Sequence, residues 1–469
     1  MIRTDVAVIG AGTAGLAAER SARAAGARTL LIDPKFAGTL CATAGCMPSK
    51  LLIAAAAAAH NVGEATVFGV EPGNVRIDGP RVMQRLRFER DRFVAFTRES
   101  FEDLPEGTAL LGQAQFTGPQ RLQLDHGREI EAKAIVIATG SRPIVPPPFR
   151  GLGPGIVTTD ELFDLPDLPA SLAVVGAGPL GIELAQAMGR LGVRVTLFDT
   201  GRRLGKARDG QVNDALHAAL GRDMRLVLGV QPKAEALPGD RIRVSWDSED
   251  GERRHDDFTH VLVAPGRAPV LDRLNLKSSG VDLDEEGQPL FNRQTLQCGN
   301  TPIFIAGDAA ADAPVLHEAS SEGAIAGRNA ARFPSVEPGE RHVFFTLAFT
   351  DPPLAALGRA AEDAAITGSS DYSNQGRARV EARAQGVVRV HADARGRLVG
   401  ADLCAPGGEH LAHQLAWAIQ SGATALQLLN MPFYHPTLEE GLKGALRQIC
   451  QASGTGRSLS LDAGSPPGS

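Results

Sequence analysis

The sequence predicts an α/β chain, with two copies of a glycine-rich βαβ unit and a smaller α+β region after them. Three observations carry this. An apolar run, Asp5-Val-Ala-Val-Ile9, leads into Gly10-Ala-Gly12-Thr-Ala-Gly15, an Ala-rich helical stretch and a second apolar run ending at Asp33. The pattern returns as Leu172-Ala-Val-Val175, Gly176-Ala-Gly178-Pro-Leu-Gly181 and Arg194-Val-Thr-Leu-Phe198, ending at Asp199. From about residue 340 the texture changes to alternating strands, such as Gly386–Val390 and Leu398–Leu403, with two helices.

Each glycine unit reads as strand, turn, helix, strand. The glycines permit a tight turn and let a pyrophosphate approach the helix N-terminus, while the acid takes a ribose hydroxyl pair. Residues 16–25 and 182–191 supply the helices, and in both units the acid follows the last glycine by 18 residues. A lone G-x-G-x-x-G is weak evidence; with strand, helix and acid all in place it becomes strong. Two complete copies imply two bound nucleotides, one fixed and one exchanging.

Between the two copies lies Gly38-Thr-Leu-Cys41-Ala-Thr-Ala-Gly-Cys46-Met-Pro-Ser-Lys50. Pro48 and Ser49 are helix-start signals before the apolar run Leu51-Leu-Ile-Ala-Ala, so Cys46 should lie close to a helix N-terminus. The positive end of a helix dipole favours a thiolate there. Two cysteines cannot fill a tetrahedral zinc site, and no second Cys pair or nearby His supplies the missing ligands. Two structural thiols remain the bland alternative. A short disulfide loop that electrons can open, leaving one thiol free to exchange, is the functional one.

Size and composition set the frame. At 469 residues, two or three domains are expected. A net charge of −6 with 22% charged residues offers no basic footprint for a nucleic acid. The chain starts on a strand-like run with no signal-peptide pattern before it. The longest apolar run, Leu51 to Ala59, falls short of the roughly 20 residues a membrane helix needs, so no membrane partner is expected. Five cysteines at scattered spacings do not make a secreted disulfide scaffold, and a cycling dithiol suits a reducing cytoplasm.

The remaining elements follow in order. A helix over 49–60 precedes a polar stretch; Arg81 to Asp103 is amphipathic, with Val82, Leu86, Phe93 and Phe96 along one side. Residues 108–137 read as short strands closing on Ala134-Ile-Val-Ile-Ala-Thr-Gly140, and Pro143, Pro146, Pro147 and Pro148 mark a boundary. Residues 210–265 read as short strands and turns ending at Gly266-Arg267. Thr301-Pro-Ile-Phe-Ile-Ala-Gly307-Asp308 is a buried strand delivering an aspartate, and a helix starts soon after Pro314. The last helix follows Tyr434-His435-Pro-Thr-Leu-Glu-Glu440, and the Gly-, Ser- and Pro-rich tail from Gln451 is expected to be disordered.

With these pieces in order, the chain resembles the flavin-dependent pyridine nucleotide-disulfide oxidoreductases, and among them the dihydrolipoamide dehydrogenases, over about residues 3–450. The resemblance rests on both glycine fingerprints, Cys41-x4-Cys46-x-Pro-Ser-Lys50, Ala138-Thr-Gly140, Gly307-Asp308 and His435-Pro-Thr-x-x-Glu440. It implies two Rossmann-like dinucleotide-binding domains, for FAD and NAD, and a C-terminal α+β dimerisation domain. The boundaries would be 1–148 and 269–338 for the FAD domain, 149–268 for the NAD domain, 339–450 for dimerisation and 451–469 for the tail. FAD would lie on Gly10, Gly12, Gly15, Asp33, Lys50, Ala114, Gly140 and Asp308; NAD would lie on Gly176, Gly178, Gly181, Asp199 and Gly266. Cys46 becomes the thiol facing the flavin and Cys41 the one that exchanges with substrate. Lys50 and Glu183 become an ion pair beside the flavin. His435 becomes the proton shuttle, oriented by Glu440 and reaching the Cys pair of the partner subunit in a homodimer.

These roles make chemical sense, because thiol exchange needs a thiolate and an imidazole can take and return that proton at neutral pH. The implied substrate is a lipoyl-bearing protein domain or another small disulfide. The chain departs from the family at Gly38-Thr39-Leu40, at the small residues Ala42-Thr-Ala-Gly45, and at Pro265 and Ala268 around Gly266. These changes leave the Cys spacing intact and bear on which disulfide is the partner. Asp199 favours NAD, since an acid repels a 2′-phosphate; Arg202 and Arg203 point the other way. The alternatives are an NAD(P)H-dependent reductase resembling glutathione reductase and a non-catalytic flavoprotein docking subunit.

Overall fold

The computed structural model describes residues 1–455, and these fall into two compact units. The first comprises residues 1–48, 85–144 and 266–342; the second comprises 49–84, 145–265 and 343 onward.

The first unit is built on a sheet whose parallel strands run in the order Ala109–Leu111, Thr29–Asp33, Ile2–Ile9, Glu129–Ile137 and Ile303–Ile305. Antiparallel strands Arg121–Leu124 and Ala114–Gly118 extend it. Val6, Val8, Ile135 and Ile137 are fully buried, as expected where both faces of a parallel sheet are covered. Helices Thr13–Ala24 and Leu316–Arg332 pack against each other on it. Their contact is close because Gly323 and Gly327 face the backbone of Ala14 and Ala18; a Cβ on either glycine would overlap a carbonyl oxygen. The parallel strands deliver Gly10, Asp33, Ala138 and Gly307 to one edge, the crevice where open α/β sheets bind ligands.

The second unit holds a parallel five-stranded sheet in the order Arg225–Leu228, Arg194–Asp199, Ser171–Val175, His260–Val263 and Ile156–Thr158. An antiparallel three-stranded sheet follows (Lys233–Leu237, Arg241–Asp247, Arg253–Phe258). The C-terminal part is an antiparallel five-stranded sheet ordered Phe345–Ala348, Leu354–Gly358, Leu398–Cys404, Val387–Ala392 and Ile366–Asp371. Helices Gly408–Gln420 and Leu442–Ala452 bury Leu411, Leu415, Leu446 and Ile449 in one cluster with that sheet.

Three expectations need correction, and a fourth gains detail. Residues 210–220, read as strand and turn, form a helix; the Asp209 side chain accepts from the Gln211 and Val212 amides, an N-cap signal that the reading passed over. The amphipathic helix is present as Gly79–Glu102; Met83 and Leu86 are its buried large apolar side chains, while Phe93 is 36% and Phe96 69% exposed. The stretch Leu40–Phe68 reaches a mean hydropathy of 1.5 and is long and apolar enough to span a membrane, with 33% of its most apolar window buried. Counting only the uninterrupted run Leu51–Ala59 understated it, because helix continues on both sides; length and composition equally fit a core helix. Finally, Gln451 and Ala452 close the last helix and residues 453–455 follow it, while 456–469 lie outside the described residues.

Candidate active site

The cysteine stretch folds as two helices with a tight turn between them. Leu40–Thr43 is capped by Thr39, whose hydroxyl accepts the Ala42 amide, and the second helix, Cys46–Gly63, begins at Cys46 itself, two residues before Pro48. Gly45 makes the turn possible: a Cβ there would stand 3.0 Å from the Leu40 carbonyl oxygen and 3.3 Å from the Cys41 Cα. The turn brings Gly45 against the Cys41 backbone and gives Cys46 the helix N-terminus, where a thiolate is stabilised. Cys41 is half-buried and Cys46 exposed. Cys298, Cys404 and Cys450 are buried, and burial pushes the Cys298 and Cys404 thiols up to about 12, which keeps them protonated and inert.

One turn beyond Cys46 on the same helix, Lys50 points its ammonium at Glu183, 2.7 Å away. Glu183 is 4% exposed, and its other oxygen accepts the Phe349 amide at 2.8 Å. The ammonium also lies 4.3 Å from the centre of the Phe349 ring. A buried carboxylate held by an ion pair and an amide is rigid, and removing Lys50 would leave it uncompensated.

His435 places Nδ1 2.8 Å from Glu440 Oε2, with the imidazole 53% exposed and the carboxylate 3%. Burial pushes the Glu440 carboxyl up, but hydrogen bonds from His435, Lys443 and the Thr437 amide outweigh it and hold it below the usual carboxylate range. An ionised Glu440 accepts from Nδ1–H, which leaves Nε2 as the nitrogen able to take a proton. Cys41 belongs to the first unit and His435 to the second.

The two fingerprints are built alike. Asp33 accepts the Ala11 amide through Oδ2 and the Lys35 and Phe36 amides through Oδ1. Asp199 accepts the Ala177 amide through Oδ2 and the Gly201 amide through Oδ1. Helices Thr13–Ala24 and Pro179–Arg190 start at Gly12 and Gly178 with no side-chain cap, and a Cβ at either glycine would meet nothing within 4 Å. Uncapped amides facing open space form a pyrophosphate cradle. In the first unit the Thr139 hydroxyl is buried with no hydrogen-bond partner among the described residues, the kind of atom a bound group satisfies. These residues therefore fit FAD on the first fingerprint and a nicotinamide dinucleotide on the second.

Asp308 sits in the turn Gly307–Ala310 after the strand Ile303–Ile305 and accepts the Ser141 hydroxyl at 2.6 Å. Arg267 holds Ser141 in turn, donating to its hydroxyl at 3.0 Å and its carbonyl at 2.9 Å. The antiparallel pair Ser141–Pro143 and Arg267–Pro269 thereby ties together the turns at Gly140 and Gly266. Behind them, fully buried Glu322 accepts the Gly307 amide and pairs with Arg341 at 2.7 Å. Sequence reasoning named Asp308, Gly140 and Gly266 but missed Ser141, Arg267 and Glu322 as their supports. The first two are adjacent to named glycines, which was the available signal; Glu322 lies 15 residues from its partner on a helix and gave none. Ala114 opens the strand Ala114–Gly118 and is packed in the first unit's core.

Comparison with known proteins gives the family. Residues 4–324 match the family described as pyridine nucleotide-disulphide oxidoreductase, and residues 344–446 match its dimerisation domain. Dihydrolipoyl dehydrogenases are among the similar curated proteins. The Halobacterium salinarum protein is 31% identical over 456 residues, covering 93% of this chain and 94% of its own. The Bacillus subtilis protein is 31% identical over 458 residues, covering 94% and 97%. Among solved structures, the HOCl-induced flavoprotein disulfide reductase RclA from Escherichia coli superposes with a TM-score of 0.79 at 22% identity, over 94% of this chain and 99% of that one.

Proposed function

Because the chain belongs to the pyridine nucleotide-disulphide oxidoreductases, with FAD and NAD as cofactors and the homodimerisation domain of that family, we propose that it is a dihydrolipoyl dehydrogenase. The dithiol of a lipoyl group is oxidised to its disulfide while the Cys41–Cys46 disulfide is reduced to two thiols; the electron pair ends on NAD as NADH, with release of a proton. FAD, when bound, supplies the two-electron relay between the Cys pair and NAD. The chain's residues do the rest. Cys41 exchanges with the substrate sulfur, and Cys46 at its helix N-terminus is held as the second thiolate. His435 takes the substrate thiol proton at Nε2 and returns it, while Glu440 fixes the tautomer. Lys50 and Glu183 hold a fixed charge pair one helical turn from Cys46. A cycling dithiol suits a cytoplasm that keeps thiols reduced.

The observation that carries this reading is the half-exposed His435 braced by the buried Glu440, in a chain that also starts a helix on Cys46. The names of the curated relatives support lipoamide as the disulfide. Mixing the protein with NADH and oxidised lipoamide should consume NADH. Consumption only of NADPH, with glutathione disulfide, would replace the reading with that of a glutathione reductase-like enzyme.

We further propose that each site is shared, with Cys41 from one protomer and His435 from its partner. Co-expressing Cys41→Ser with His435→Ala gives hybrids in which one site carries both defects and the other neither. Random pairing makes about half of the dimers hybrid, so roughly a quarter of wild-type activity should return. Activity near zero with hybrids shown to be present would place the whole site within one chain.

A further inference from the structure

Two arginines, Arg202 and Arg203, follow Asp199 at the end of the strand Arg194–Asp199, where an arginine would accommodate the 2′-phosphate of NADP. The structure turns both aside. Arg203 donates to the carbonyls of Ala207 and Arg208, tying its own loop together. Arg202 lies across Gly229, where a Cβ would stand 3.3 Å from its guanidinium carbon, and ends on Glu249, with Nη2 2.5 Å from Oε1. The backbone beneath is pinned: the Gly229 amide donates to the Gly201 carbonyl and the Val230 amide to the Asp199 carbonyl, both at 3.0 Å.

Glu249 sits on the tip joining strands Arg241–Asp247 and Arg253–Phe258. The Ser248 amide closes that tip by donating to the Glu252 carbonyl at 2.9 Å, and Asp250 is taken by Arg254 at 2.7 Å. The tip thus presents Glu249 to Arg202 while a neighbouring carboxylate is already neutralised.

We propose that Glu249 is a specificity-determining residue that holds Arg202 away from a 2′-phosphate, so that discrimination against NADP rests on Glu249 as well as Asp199. This deepens the reading of the second fingerprint as an NAD site and rests on it. The Arg202–Glu249 pair is about 70% exposed on both sides, so the effect is modest and salt-sensitive. A carboxylate that neutralises Arg202 both occupies its donors and adds a charge that repels the phosphate. The chain has no need to delete the arginine, whose stem covers Gly229.

The test separates this inference from the reading beneath it. Affinities for adenosine 2′,5′-bisphosphate and 5′-AMP are measured by calorimetry on wild type, Glu249→Gln, Arg202→Ala and the double variant. Kinetics with NADH and NADPH accompany them. Glu249→Gln should bind the bisphosphate about 2–5-fold tighter at low salt, with 5′-AMP affinity and NADH kcat/KM unchanged. The gain should vanish in the double variant and shrink as NaCl rises to ~0.5 M. NADPH kcat/KM should rise by the same factor through KM. Unchanged bisphosphate affinity in Glu249→Gln, or a gain that persists without Arg202, would overturn the inference even if NADH is used normally. Failure of the wild type to oxidise NADH would instead strike the functional reading.

Discussion

The two fingerprints share spacing, uncapped helix and braced acid, yet they sit in different surroundings. Along the first, helix Thr13–Ala24 is crossed by Leu316–Arg332 at a contact that only glycine allows. In the second, the corresponding helix Pro179–Arg190 packs on the strands Arg194–Asp199 and Phe345–Ala348, and its close glycine, Gly189, meets the Asp223 backbone near the helix's far end. The first acid continues into a closed turn, where Asp33 takes two further amides and Phe36 stacks edge-on against Phe101 at 5.2 Å. The second continues into a loop that carries exposed arginine. The helix of one motif is therefore locked against a second helix, while the acid of the other opens onto an exposed loop. The difference teaches that G-x-G-x-x-G sets the chemistry of binding, while what packs around it sets whether the ligand stays. We propose that a resident FAD and an exchanging NAD reflect those surroundings.

The strongest way to break the comparison is to pry the two helices apart. Gly327→Val would drive a side chain into the Ala18 backbone. The variant should lose about 3 kcal/mol of stability in denaturant titrations. It should also release flavin on gel filtration. Gly178→Ala adds its Cβ to open space. It should cost about 1 kcal/mol or less, because only the helix start is disturbed. It should show itself in the KM for NAD, with FAD retained. Equal destabilisation by both would mean the two surroundings do not differ as described.

Removing the acids sharpens the comparison at the next level. Loss of a charge-assisted ribose contact is worth about 1.5–3 kcal/mol, or roughly 10–100-fold in affinity. Asp199→Ala should therefore lower kcat/KM for NAD by about that range and narrow the preference over NADP. Asp33→Ala should leave the KM for NAD alone and weaken FAD binding to the apoprotein, measured by quenching of flavin fluorescence. A wild-type preference for NADP would contradict the role given to Asp199.

Much of this was legible in the sequence because the signals are local. The fingerprints, Cys41-x4-Cys46 and His435-Pro-Thr-x-x-Glu440 each lie within a short window, and backbone constraints within a window write themselves as Gly, Pro or a capping residue. The cysteine helix starts three positions before the expected residue 49, because Pro48 is tolerated within the first turn as well as at its start. The helix Gly210–Leu220 was missed because its Asp209 cap precedes residues read as turn. Contacts between distant segments left no such trace. Arg202 and Glu249 are 47 residues apart, and Arg267 and Ser141 are 126 apart. In the amphipathic helix Gly79–Glu102 the spacing was legible but the burial was not: aromatic side chains at helical spacing say that a face is apolar, not that it is buried within one chain.

The smallest expected effect tests how the first site's acid is held, which the second site does without. Ser141 donates to Asp308 at 2.6 Å and accepts from Arg267 at 3.0 Å, so its hydroxyl aligns the carboxylate that the family resemblance assigns to the flavin's ribityl chain. Ser141→Ala removes that link but keeps the Arg267 bond to the Ser141 carbonyl and the pairing of Ser141–Pro143 with Arg267–Pro269. The fold should therefore persist. One hydrogen bond to a charged group, partly replaced by water, is worth about 1 kcal/mol, so FAD affinity of the apoprotein should fall about 5-fold. The KM for NAD should not move, because Asp199 is braced by the Ala177 and Gly201 amides without a side-chain relay. Unaltered FAD affinity would show that Asp308 is positioned by the backbone alone, as Asp199 is, and would erase this part of the contrast. A matching rise in the KM for NAD would show instead that the effect of the substitution is not confined to the first site.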